Sequence, residues 1–129
     1  MPIVFIVMGL ALLQFLYFGY QVGGARERLG VKAPAITGND QFERYFRVQQ
    51  NTLELLVILL PSLWMFANYL SPPTAAALGG VYLIGRFVYS VGYVKDPAKR
   101  SAGFGLSFLP IAALLLGGLY GAVRAALAG

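Results

Sequence analysis

Arg44, Arg47, Asn51 and Glu54 recur at intervals of three, four and three residues, so two guanidiniums, an amide and a carboxylate share one face of a helix. Phe46 and Gln50 fall on other faces. Tyr82, Arg86, Tyr89 and Tyr93 repeat the device at intervals of four, three and four. Together these groups suit a small zwitterion. Arginine forks match carboxylates, Glu54 can hold an ammonium, Asn51 and Gln49 can bond amides, and the phenols can bond either. Nucleophiles are scarce by contrast. The chain has no cysteine and no histidine, which removes a thiolate, an imidazole base, disulfides and the usual zinc ligand sets, so no metal is expected. Thiol chemistry here needs an external cofactor.

The elements that must position these groups are membrane spans. Apolar residues make up 58% of the 129, charged residues only 12%, and mean hydropathy is +0.69. A soluble domain of this size could not bury so much apolar surface. Four apolar segments, about 3–22, 42–70, 75–94 and 104–126, each approach the roughly 20 residues that cross a hydrocarbon core. Between them lie the Gly- and Pro-containing stretch "GGARERLGVKAPAITGNDQ", the short "SPPT" and the basic "KDPAKRSAG". The expectation is an all-α, integral membrane four-helix bundle forming one domain over 1–129. The first segment lacks the basic start and small-residue cleavage site of a signal peptide and reads as a span.

Most lysines and arginines flank the first and third connections, and the one around Pro72 has none. The positive-inside bias then puts both basic loops and the polar stripes on the cytoplasmic side, with both termini opposite. The bilayer is the expected partner, and nucleic acid is not. An ionised arginine or glutamate facing lipid near the midplane costs roughly 2.5 to 3.5 kcal/mol on insertion scales, so the stripe of Arg44, Arg47, Asn51 and Glu54 should face the bundle interior or a wet cavity. Arg47 or Arg86 paired with Glu54, and tyrosines acting as an interfacial belt, would be the plain structural account. One glutamate, however, cannot neutralise Arg26, Arg44, Arg47, Arg86 and Arg100 if all five converge. A positive cavity would remain, and it would take an anion.

Three fragments carry a family resemblance: "QVGGAR" near the end of the first span, "FERYFRVQQNTLE" opening the second, and "VYLIGRFVYSVGYVKDPAKR" across the third and its loop. On these the chain resembles the MAPEG family, the membrane-associated proteins in eicosanoid and glutathione metabolism, and most closely its cysteinyl-leukotriene-forming branch. The resemblance implies that Arg26, Arg47, Gln49, Asn51, Glu54, Tyr89 and Tyr93 bind glutathione and that Arg100 stabilises its thiolate. It also implies a homotrimer with each glutathione between neighbouring subunits, and a hydrophobic electrophile or lipid peroxide arriving from the bilayer.

The role given to Arg100 makes physical sense. A thiol with a pKa near 8.5 is only a few per cent ionised at pH 7, and a guanidinium favours the charged form without losing its own proton. Two positions depart from the leukotriene-forming branch: Glu27 stands where a second arginine follows the one matched by Arg26, and Leu55 replaces a tyrosine. These point away from leukotriene synthesis. The implied activity is a glutathione transferase, with glutathione peroxidase chemistry as an extension. A non-catalytic lipid-binding scaffold and a proton-coupled multidrug exporter using Glu54 are the alternatives, and the excess of arginine disfavours cationic cargo.

Overall fold

The computed structural model covers Met1–Gly129 and consists of helix α1 (Pro2–Leu29), α2 (Asp40–Tyr69), α3 (Pro72–Lys95), a 3-10 turn (Pro97–Lys99) and α4 (Arg100–Ala128). The helices are 28, 30, 24 and 29 residues long, and each is apolar enough to cross a membrane. At a rise of about 1.5 Å per residue even the shortest reaches about 36 Å, beyond a hydrocarbon thickness of about 30 Å. Their ends therefore stand in the interfacial layers. The chain is an integral, multi-pass, all-α membrane protein.

Local chemistry sets the boundaries. Asn39 caps α2, its side chain accepting from the Phe42 N–H at 3.0 Å, and Asp40 and Glu43 favour the positive end of the helix dipole. Ser71 caps α3 in the same way with Thr74, and Pro72 and Pro73 occupy the first turn, where their missing N–H groups are no loss. "SPPT" thus starts a helix as well as ending one. Two boundaries move from the sequence expectation. Gly23 and Gly24 do not stop α1, because neither is followed by a proline and "ARERL" is a good helix former; Gly30, at φ 71°, ends it. Similarly, Asp96 caps the 3-10 turn through the Ala98 N–H at 3.0 Å, and the chain passes directly into α4 at Arg100. Arg26 and Arg100 therefore sit on helices rather than in loops.

Helix α2 is central and packs on α1, α3 and α4, and α4 lies against both α2 and α3. A continuous apolar core, including Val4, Val7, Leu59, Leu63, Phe66, Ala75, Ile111 and Leu114, fills the half of the bundle remote from the basic loops. Leu13, Leu16, Ile84, Leu109 and Leu116 project outward, as lipid-facing residues must.

Candidate functional site

The first half of α2, the second half of α3 and the first turns of α4 meet at the end of the bundle that carries the basic connections. The close approach of α3 and α4 depends on glycine. A Cβ on Gly85 would stand 2.6 Å from the Leu106 carbonyl carbon, and one on Gly103 would overlap the backbone of Tyr89. With both positions bare, the start of α4 lies along α3, and Arg100 comes beside the tyrosines.

A cleft of about 550 Å³ opens there, lined by Arg47 and Asn51 from α2, Tyr89 and Tyr93 from α3, and Arg100, Ser101, Phe104 and Gly105 from α4. Tyr89 and Tyr93 stack, with ring centroids 5.5 Å apart, and Phe104 lies 6.3 Å from Tyr89. Two guanidiniums, an amide and two phenols therefore surround a volume of tripeptide scale. No acidic residue lines it. The Asn51 amide donates to Glu54 Oε1 at 3.5 Å, which sets Glu54 one turn further along the same face. The third helix meets the second through Arg86, whose Nη2 donates to Asn51 Oδ1 and to Thr52 Oγ1, both at 3.0 Å.

The structure brings together Arg47, Asn51, Tyr89, Tyr93 and Arg100, and it keeps Arg26 and Gln49 apart from them. Arg26 donates to the Ala35 carbonyl at 2.6 Å and lies over the Phe42 ring at 4.8 Å, so it holds the connection after α1. Gln49 lies against Gly19 of α1, where an added Cβ would be 3.0 Å from its amide nitrogen. Nor do the five arginines converge. Arg44 is drawn to the carbonyls at the end of α3, Val94 O and Lys95 O, both at 3.1 Å, where unpaired acceptors and the negative end of the helix dipole await a cation. Only Arg47 and Arg100 face the cleft.

The expectation of an internal α2 stripe needs a further correction. Within one chain, Arg47 and Glu54 are exposed on an open face of the bundle, and the fully buried cation is Arg86. Arg86 is met by Asn51 and Thr52 instead of Glu54, because a side chain from α3 reaches α2 one turn before the glutamate. Ser101, Phe104 and Gly105 line the cleft in addition to the residues expected from sequence. Helical spacing from Arg100 is their signal, and it is hidden when the fourth span is taken to begin at Phe104.

A MAPEG family profile matches residues 4–120 of the chain. Human microsomal glutathione S-transferase 2 is 45% identical over 105 residues, covering 81% of this chain and 71% of that protein. A probable microsomal glutathione S-transferase of Dictyostelium discoideum is 34% identical, with 79% and 72% covered. Leukotriene C4 synthase of Rattus norvegicus is 36% identical over 119 residues, with 86% and 79% covered.

Proposed function

This chain belongs to the MAPEG family, and from that premise we propose that it is a membrane-embedded glutathione transferase, taking glutathione as substrate and joining its sulfur to an apolar electrophile. The cleft between α2, α3 and α4 is the observation that carries the reading: two arginines, an asparagine and two tyrosines converge at one end of a membrane bundle.

Arg47, with Tyr89 and Tyr93 beside it, offers donors to the carboxylates of the tripeptide. Asn51 presents an amide to its peptide groups, and Glu54, one turn beyond the cleft lining, offers an acceptor to its ammonium. Arg26 and Gln49 lie outside this chain's own cleft, and their assignment as glutathione ligands requires a surface contributed by another copy. Arg47 and Glu54 stand on an open face, where an ionised group against hydrocarbon is costly. Burial of that face by neighbouring copies in a homotrimer would remove the cost and complete the site.

Arg100 completes the chemistry. Its guanidinium opposes loss of negative charge from sulfur, so more of the bound thiol is thiolate at neutral pH. The thiolate attacks an electrophilic carbon, the S–C bond forms, and the leaving group departs with its electron pair. A peroxide can be attacked at oxygen instead: the O–O bond breaks, the distal oxygen joins sulfur as a sulfenic acid while the other leaves as the alcohol after taking up a proton, and a second glutathione displaces water to close the disulfide. Glutathione arrives from water and the electrophile from lipid, so a cleft at the membrane interface serves partners that share no solvent. The positive-inside bias of the basic connections supports a cytoplasmic cleft, with both termini opposite.

Ultraviolet difference absorption during titration of the purified protein with glutathione tests the reading directly. A thiolate band that saturates, together with conjugation of an aryl halide, is the expected result. A scaffold or an exporter gives neither. A lipid hydroperoxide offered in place of the halide tests the peroxidase branch.

A further inference from the structure

Arg86 is fully buried in the membrane-spanning part of the bundle, and the glutathione chemistry above assigns it no contact with substrate. Buried cations are costly in such a place, and a well-packed apolar side chain serves packing alone at least as well. What Arg86 does is visible in its neighbours. One nitrogen, Nη2, donates to Asn51 Oδ1 and Thr52 Oγ1, each at 3.0 Å. The plane of the same guanidinium covers Tyr89 at 4.2 Å from the ring centroid. Thr52 is itself fastened by donating to the Val48 carbonyl at 2.7 Å, so the anchor for Arg86 on α2 is rigid. Asn51 and Tyr89 are two walls of the cleft.

We infer that Arg86 is a positioning residue for the glutathione site, fixing the Asn51 amide and the Tyr89 ring from behind. Because the guanidinium occupies Asn51 Oδ1, the amide can present only its NH₂ group forward, to Glu54 and to the ligand. An unanchored asparagine could turn its oxygen into the cleft instead, and a carboxylate or peptide carbonyl there would meet an acceptor. The ring of Tyr89, in contact with the Arg86 guanidinium and stacked with Tyr93, is likewise set in one orientation. The inference rests on the proposed glutathione site and adds a residue behind it that never touches the ligand.

The test is a double-mutant cycle on glutathione affinity by calorimetry, with steady-state kinetics on the same preparations. Arg86→Met should raise the Kd and KM for glutathione about ten- to a hundred-fold, the usual range for losing a charged hydrogen-bond anchor, and leave kcat and the bound-thiol pKa near wild type. In an Asn51→Ala background the same change should cost little more, since its main target is already gone. Arg86→Lys keeps the charge and fills the cavity, so it covers the case in which the Met variant does not fold. Its Kd should lie between those of wild type and Met, because an ammonium lacks the planar reach to grip Asn51 and Thr52 while covering a ring. Losses that multiply in the double variant, or a folded Met or Lys variant with wild-type Kd, overturn the inference and leave the transferase reading intact. A wild-type protein that binds no glutathione overturns both.

Discussion

The two halves of α2 make a direct comparison, because one unbroken helix serves two purposes. From Asp40 to Glu54 it carries Arg44, Arg47, Asn51, Thr52 and Glu54, and its neighbours answer with Arg86, Tyr89 and Arg100. From Leu55 to Tyr69 its buried residues are Leu55, Leu56, Leu59, Ser62, Leu63, Phe66 and Ala67, packed on Val4, Val7, Ala75 and Leu114. In the second half the buried side chains apart from Ser62 are apolar, and they join one continuous core. In the first, the arrangement leaves the charges of Arg47 and Glu54 exposed on one face and sets the buried Arg86 of α3 against Asn51 and Thr52, which is a poor way to build a stable membrane helix. The difference teaches that packing alone does not account for the polar half, as the proposed glutathione site requires, and that the apolar half carries the packing that holds it in place.

The largest predicted effect divides the halves most sharply. Arg100→Ala should let the thiol pKa of bound glutathione rise toward about 8.5, the ordinary value. If the wild-type site lowers it by about two units, the thiolate fraction and the conjugation rate fall about 25-fold at pH 7, and by nearly a hundred-fold at pH 5. The sign is definite: activity of the variant should recover as pH rises through its higher thiol pKa. Glutathione affinity should stay within a few-fold, because other residues hold the peptide. A wild-type pH-rate profile in the Ala variant would remove Arg100 from the mechanism.

Glu54→Gln comes next. Losing a charged partner of the glutathione ammonium should weaken binding by about 1 to 3 kcal/mol, read as a rise in Kd with the thiolate band preserved once the site is saturated. Calorimetry that returns an unchanged Kd would give Glu54 back to structure. In the apolar half the pattern should invert. Leu59→Ala removes a fully buried side chain from the core and should lower unfolding stability by about 2 kcal/mol. That is the low end of the range for soluble cores, since the leucine remains in hydrocarbon on unfolding within the membrane and mainly packing is lost. Its kinetic constants per folded molecule should match wild type. A large change in KM would mean that the two halves are coupled.

Much of this division could be read from residues alone, for a physical reason. Span length and apolarity are properties of a segment, so four helices follow from four segments, and spacing places Arg47 with Asn51 and Tyr89 with Tyr93 without any fold. What a side chain turns toward is a property of its neighbours. Arg44 and Arg47 share a face by spacing, yet the α3 carbonyls capture one and leave the other free. Arg26 is diverted by a loop whose path no local pattern describes. Arg86 shows the same limit from the other direction, since its stripe was legible and its partners, Asn51 and Thr52, were not. Ser101 and Phe104 were lost to a helix boundary: "KDPAKRSAG" looks like a loop until the Asp96 cap starts the turn that leads into α4.

Arg44 supplies the smallest predicted effect and the finest test of where the polar half stops being a site. It lies on the Arg47 face by helical spacing, so a stripe that is uniformly functional would give it a share in binding. Its geometry gives it another task. Both of its hydrogen bonds, to Val94 O and Lys95 O at 3.1 Å, cross fifty residues of sequence to clip the start of α2 to the end of α3. It is partly exposed, so water would replace part of what those bonds contribute, and the favourable dipole at the end of α3 is worth only a fraction of a kcal/mol to about 1 at such a position. Arg44→Ala should therefore lower stability by about 1 kcal/mol in thermal unfolding in mild detergent. The glutathione Kd and the thiolate band should stay within about two-fold of wild type, since the Arg44 guanidinium is committed to the α3 carbonyls and does not line the cleft. A ten-fold rise in Kd with unchanged stability would place Arg44 among the ligand-binding groups, and the boundary between the two kinds of construction would then lie beyond the start of α2.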